Sequence, residues 1–200
     1  MDKRADTVQP IHDLLAERWS PLAFDEARGI SDPDLLSLCE AFRWAPSCFN
    51  EQPWALIVGR RGEATYDALL SCIVEGNLPW AQRAPMLALS IAKLSFDRNG
   101  KPNRHAQHDV GLASMSLVIQ AEALGMSVHQ MGGYMPDKAK QLFDIPDTHE
   151  SIAMIAVGYQ GDASTLPDSY QQREQSARSR RALADVIHAG KFGTTAPFVR

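Results

Sequence analysis

Four short groups of residues in this chain have side chains suited to chemistry. Arg18-Trp19-Ser20 stands where a helical pattern gives way to loop. A guanidinium fork beside a hydroxyl can hold a phosphate, although an exposed arginine followed by a capping serine accounts for the same residues. The stretch WAPSCFNEQPW at Trp44–Trp54 sets Ser47, Cys48, Asn50 and Gln52 between two prolines and two tryptophans. Pro46 and Pro53 stiffen the backbone, and the amides of Asn50 and Gln52 can face the polar edge of a planar molecule. A plain helix-to-strand connector is the alternative. No neighbouring side chain supplies a base for Cys48, so its thiol reads as a contact group and not as a nucleophile. In NRHAQHD (Asn103–Asp109), His105, His108 and Asp109 are possible metal ligands, but no second cluster completes the set. A helix start with Asp109 near the positive end of the dipole explains them better. Arg178-Ser179-Arg180-Arg181 is either a solvated basic face or the second half of a phosphate site.

These groups need elements to position them. Ile11–Glu17 predicts a short helix. Ser31-Asp32-Pro33-Asp34 carries a cap, a first-turn proline and a capping-box carboxylate, opening a helix with Leu35, Leu38, Cys39 and Phe42 on its inner face. Pro46 ends that pattern by disfavouring a helical Ala45. WALIVG reads as a buried strand, Glu63–Val74 as a helix, EGNLPWAQRAP as a turn-rich connection and MLALSIAKL as a second buried strand. FDRNGKPNR (Phe96–Arg104) is a surface loop. His108–Leu124 predicts the longest helix, with Leu112, Met115, Leu117, Ile119, Ala121 and Leu124 apolar and Gly125 as its stop. Its small residues Gly111, Ala113, Ser114 and Ser116 suggest close backbone packing. SVHQM and SIAMIAVGY predict strands and PDKAKQLF a helix. Gln160–Arg173 reads as a polar connection, Ala182–His188 as a short helix and KFGTTAPFVR as an extended tail. No strand opens onto a glycine-rich phosphate loop, which favours an α+β fold over a doubly wound dinucleotide fold.

Composition narrows the class of function. The chain has 200 residues, 44% of them hydrophobic, enough for one domain, residues 1–200, with a real core. Its 20 Lys plus Arg against 24 Asp plus Glu leave a net charge of −4, which gives no general attraction to nucleic acid or membrane. Cys39, Cys48 and Cys72 form no CxxC pair and suit free thiols in a reducing compartment. MDKRADTVQP lacks the apolar core of a signal peptide, and no run approaches the ~20 apolar residues that span a bilayer. The expected setting is the cytoplasm.

Taken in order, six segments resemble the FMN-dependent nitroreductase family. They are ERWSPLAF (Glu17–Phe24), APSCFNEQPW (Ala45–Trp54), EGNLPWAQRAP (Glu75–Pro85), HDVGLASMSLVIQAEALGM (His108–Met126), HQMGGY (His129–Tyr134) and RSRRALADVIHAGKFG (Arg178–Gly193). The resemblance implies a mainly antiparallel sheet wrapped by helices, in an intertwined homodimer with FMN sites at the subunit interface. By the same resemblance, Arg18, Trp19 and Ser20 match the start of the phosphate site. Pro46, Ser47, Cys48 and Asn50, with Gln52 in the same motif, match the segment that reaches the partner's flavin. Asn77 matches the asparagine at the pyrimidine edge, Met131, Gly132 and Gly133 the backbone beside the redox-active edge, and Arg178 and Arg180 the closing basic pair. Leu22 departs from the family, which usually carries a second cation there.

The implied function is an oxidoreductase in which NADH or NADPH delivers hydride to flavin N5. A small electron-poor acceptor such as a nitroaromatic, quinone or enone then receives it. Residues 191–200 are expected to embrace the partner subunit. The flavin carries the redox chemistry, so no catalytic side chain is required. A specialised flavoprotein of the same family, a non-catalytic flavin-binding dimer, and a metal-dependent hydrolase using His105, His108 and Asp109 are the alternatives.

Overall fold

The computed structural model describes residues 3–199. Met1 and Asp2 of the opening stretch and Arg200 of the tail lie outside the described residues. The order of elements is α1 (Asp13–Glu17), α2 (Asp32–Arg43), β1 (Trp54–Arg60), α3 (Ala64–Ser71), α4 (Leu78–Ala81), β2 (Met86–Lys93), α5 (Ala106–Ala123), β3 (Ser127–Met131), α6 (Pro136–Leu142), β4 (His149–Gly158) and α7 (Asp168–Gln175). The four strands form one antiparallel sheet in the order β1-β2-β4-β3. The fold is therefore α+β.

Strand periodicity explains why β2 and β4 read as continuous apolar runs. Leu87, Leu89, Met154 and Ala156 face one core, with Tyr66 and Leu69 of α3, Trp80 of α4 and Ala139 of α6. Met86, Ala88, Ile155 and Val157 face the other, against Leu38 and Phe42 of α2 and Ala113 and Leu117 of α5. Both faces of the sheet are covered, so neither central strand alternates with polar residues. Leu38 is fully buried, which contributes about 1.5–3 kcal/mol. Its helix starts as the capping pattern requires: the Ser31 hydroxyl accepts a hydrogen bond from the Asp34 amide at 3.2 Å.

Several elements differ from the sequence-based expectation. The 75–85 connection contains α4, and the polar 160–173 segment contains a short turn at Ala163–Thr165 and most of α7. Of the helix expected at Ala182–His188, a single turn at Leu183–Asp185 forms. The tail curls where an extended tail was expected: the Ala189 amide donates to Thr194 O at 2.9 Å and the Ala196 amide to Ile187 O at 3.0 Å. Ala196 is buried by this curl, while Phe192 and Phe198 stay exposed. On α5 the buried stripe runs through Val110, Ala113, Ser114, Leu117, Val118 and Ala121. The small residues Ala113 and Ser114 thus allow the close approach to the sheet, and the bulkier Met115 points outward. Among the described residues no helix is long and apolar enough to cross a membrane.

Candidate functional site

Two stretches far apart in sequence meet at a basic cavity. Arg18, Trp19, Ser20 and Leu22, which follow α1, line a cavity of about 320 Å³ together with α7 and the segment after it. Five cations surround it: Lys3, Arg18, Arg173, Arg178 and Arg180. The one lining carboxylate, Glu174, is spent on backbone. Its Oε2 accepts the Leu22 amide at 2.6 Å and its Oε1 the Ala23 amide at 3.4 Å, with the residue 4% exposed. Arg178 is half committed, since its Nη1 donates to Lys3 O at 2.5 Å and Ala16 O at 2.8 Å. Lys3 Nζ lies 4.8 Å from the Trp19 ring centre and donates to Ser176 O at 2.6 Å. Arg18 makes no hydrogen bond or ion pair among the described residues.

The charges in this cavity oppose one another. Burial, then Arg180, push the Arg18 guanidinium below its ordinary pKa, and Glu122 offsets this in part. Burial, followed by Arg18 and Arg180, does the same to Arg178. Arginine stays charged under these conditions, so the repulsion that Glu122 leaves uncompensated is a standing preference for an anion. A phosphate monoester with about two negative charges meets that need. The donor set is thus suited to the phosphate end of FMN.

A second group sits at the end of β3. The Gly133 carbonyl accepts the Val74 amide at 3.2 Å and Asn77 Nδ2 at 3.2 Å, while Trp80 Nε1 donates to Asn77 Oδ1 at 3.3 Å. A side chain at Gly133 would push the Asn77 amide out of its present place and crowd Val74. Met131 is buried, and the space beside Gly132 is open. Both ends of the Asn77 amide already have partners, which leaves one N–H and one lone pair for a ligand. Trp80 in turn stacks on His129, ring centres 4.3 Å apart, and His129 lines the basic cavity. A continuous wall therefore joins the two groups.

The Trp44–Trp54 segment is a third, separate feature. Phe49, Asn50 and Gln52 have φ of 56°, 57° and 52°, a left-handed conformation that costs non-glycine residues of order 1 kcal/mol or more each. The surroundings impose it. Asp109, buried in the first turn of α5, accepts the Cys48 amide at 3.0 Å, and Ser47 Oγ accepts the Gln52 amide at 2.9 Å. Gln52 Nε2 donates to Asn50 O at 3.1 Å, so this amide braces the loop. Glu51 accepts the Asp97 amide, and Phe49 meets Phe96 edge-on at 6.2 Å. Phe49 nevertheless remains 71% exposed and Trp44 75%.

The structure thus gathers Arg18, Trp19, Ser20, Arg178 and Arg180 at one cavity. It joins Asn77 to Gly133, with Met131 and Gly132 alongside. Pro46, Ser47, Cys48, Asn50 and Gln52 do not line that cavity. Sequence reasoning missed Lys3, Trp80, His129, Arg173 and Glu174, and Glu174 is the residue whose burial could not be read from its polar surroundings. Asp109 acts as an anchor for the loop, and among the described residues no group of three or more His, Cys, Asp or Glu is placed to hold a metal ion.

Comparison with known proteins places this geometry. A family model described as the nitroreductase family matches residues 15–75 and 67–159. An uncharacterized 15.4 kDa protein of Mycolicibacterium smegmatis is 31% identical over 145 residues, covering 68% of this chain and 96% of that protein. The major NAD(P)H-flavin oxidoreductase of Aliivibrio fischeri is 23% identical over 217 residues, covering 88% and 96%. A crystal structure described as an oxidoreductase containing FMN is 34% identical, covers 98% of both chains and superposes with a TM-score of 0.89. A nitroreductase family protein of Clostridium difficile, 21% identical over 89% of this chain and 96% of its own, shares the fold with a TM-score of 0.69.

Proposed function

The chain belongs to the nitroreductase family, and on that premise we propose that it is an FMN-dependent NAD(P)H oxidoreductase acting as a homodimer on a small electron-poor acceptor. The observation that carries the reading is the basic cavity, in which five cations face one carboxylate already consumed by backbone amides. Arg18, Ser20 and Arg180 would hold the phosphate, with Arg178 fastening residues 3 and 16 behind them. When bound, FMN supplies the hydride chemistry. The chain's own residues bind and orient it: Gly132 leaves its backbone accessible, Asn77 offers its remaining donor and acceptor, and the buried Met131 backs that edge from the core.

The Trp44–Trp54 loop keeps Trp44 and Phe49 largely exposed, touched within the chain only at their edges or faces by Phe96 and by Arg43 and Arg98 among the described residues, and α5 turns Met115 outward. In this reading both are covered by the partner, and Pro46, Ser47, Cys48, Asn50 and Gln52 serve the partner's flavin. Residues 1–200 form one unit whose 191–200 segment contacts the second subunit. Three free thiols suit a reducing compartment such as the cytoplasm. Acceptors of the nitroaromatic, quinone or enone type fit a site without a catalytic acid or base.

A non-catalytic flavin-binding dimer is the second reading. It draws on Leu22, whose side chain is buried in the core and adds no cation to the cavity. The deciding experiment is anaerobic mixing of the purified protein with NADH and with NADPH, then reoxidation by a panel of acceptors. A yellow protein bleached by one nucleotide and recoloured by an acceptor supports the enzyme. A yellow protein that neither nucleotide bleaches supports the binding dimer, and a protein that takes up no FMN overturns both.

A further inference from the structure

His129 opens the HQMGGY segment, which pointed to the redox-active edge and not to the basic cavity, and its ring is fixed from two sides. Its Nδ1 lies 2.9 Å from the carbonyl oxygen of Pro21. A carbonyl only accepts, so Nδ1 carries the proton. The face of the ring rests on Trp80, with centres 4.3 Å apart and planes at 32°, which fixes its orientation. Nε2 has no partner among the described residues and is not sealed from solvent, and the residue lines the basic cavity. In a neutral ring with Nδ1 protonated, Nε2 is an acceptor.

Its neighbours make that acceptor conspicuous. Lys3, Arg18, Arg173, Arg178 and Arg180 are donors, Ser20 brings an O–H, and Glu174 has both oxygens engaged. Trp80, packed on the other side, carries no charge. An anion without an O–H, such as sulfate, satisfies the donors but meets Nε2 lone pair to lone pair. A phosphate ester with an O–H beside the phosphate satisfies both. We propose that His129 is a ligand-binding residue that accepts a hydrogen bond from a hydroxyl next to the bound phosphate, so that the cavity selects a phosphorylated polyol over an anion that brings no O–H. The inference rests on the cavity being the FMN site, and FMN carries its phosphate on such a polyol chain.

The ring is suited to remain neutral. Burial lowers its pKa from the ordinary imidazole value and Arg173 adds to this, against the opposing hydrogen bond to Pro21. Of the charged groups that share the cavity, only Glu174 is anionic.

The test measures FMN release from the flavin-loaded protein on dilution, by recovery of flavin fluorescence, at about pH 8 where the ring is neutral. His129→Phe, which keeps an aromatic ring against Trp80, should weaken FMN binding roughly three- to tenfold, as loss of one neutral hydrogen bond does. Thermal stabilisation of the full chain by inorganic sulfate, which is a dianion without an O–H at that pH, should stay unchanged. His129→Gln, with an amide oxygen that can accept, should recover most of the FMN affinity. Acidification that protonates the ring removes the acceptor, so as the pH falls below the ordinary imidazole range FMN affinity should fall further in the wild type than in His129→Gln. Unchanged FMN binding in His129→Phe, a parallel loss of the sulfate response, or a His129-dependent rise in affinity toward low pH overturns the proposal. If the wild type itself binds no FMN, the function proposed above falls with it, and this is visible before any variant is made.

Discussion

The basic cavity and the Trp44–Trp54 loop are opposites in construction. The cavity is assembled from residues more than 150 positions apart, tied by bonds such as Leu22 N to Glu174 and Arg178 to Ala16. What it lacks is an anion. The loop is local, braced by Asp109 and by its own side chains, and what it lacks is apolar cover. A flat aromatic cofactor with a phosphate tail needs both features at once. One chain provides a seat for the tail, while its loop turns an unmatched aromatic face outward. This complementarity is why we read the loop as serving a second copy of the chain.

Deleting residues 191–200 is expected to have the largest effect, because the curl around Ala196 is where the tail attaches to the rest of the chain. Dimer and flavin should be lost together, since each stabilises the same assembly. Sedimentation followed at protein and flavin wavelengths checks this, and a monomer holding stoichiometric FMN would show that the loop is not needed across an interface. Next in size, Arg18→Ala should cost about 1.5–3 kcal/mol of FMN affinity, the range for a hydrogen bond to a charged group. Thermal stability of the flavin-free protein should hold or rise, because Arg18 is repelled by Arg180. Equal flavin occupancy in Arg18→Ala and wild type would remove the cavity from the reading.

Asp109→Ala attacks the other region. Freeing the Cys48 amide should lower stability by about 1–3 kcal/mol and loosen flavin retention, while inorganic phosphate still stabilises the protein through the intact cavity. Calorimetry with and without phosphate separates the two regions, and loss of the phosphate response would mean that they are not independent. The smallest effect is expected from Cys48→Ser. The residue is held through its backbone amide, so FMN content and turnover should stay near wild type. Complete loss of activity in a folded, fully flavinated variant would give the thiol a chemical role.

Legibility in the sequence followed the range of the interactions. The Ser31 cap, the two central strands and α5 are set by neighbours within a few residues, and each was found with small boundary errors. α7 was missed because DSYQQREQ has no apolar stripe. It is held by tertiary bonds, from Tyr170 Oη to Gly76 O at 2.9 Å and from the Leu22 amide to Glu174. The expected turns of helix after Ala182 largely failed to form for the converse reason, since Leu183, Val186 and Ile187 stay exposed within one chain and gain nothing from helical alignment. Arg18, Ser20 and Arg180 were legible from their types, whereas His129 looked like one residue of an ordinary strand. Only the fold brings Pro21 and Trp80 to its ring.

The way the cavity is closed has a consequence for biosynthesis. Its walls are joined by contacts spanning 152 residues from Leu22 to Glu174 and 173 from Lys3 to Ser176. At translation rates of roughly 5–20 residues per second, the second wall leaves the ribosome roughly ten to thirty seconds after the first. Both sheet cores can order during that interval, because β1 to β4 and the helices covering them precede α7. During that time the arginine and serine at one wall have no opposite side. Loading of the phosphate end is thus a late event, confined to chains whose synthesis has passed Arg180, and a nascent chain stalled before that point presents a folded sheet without a place for the cofactor.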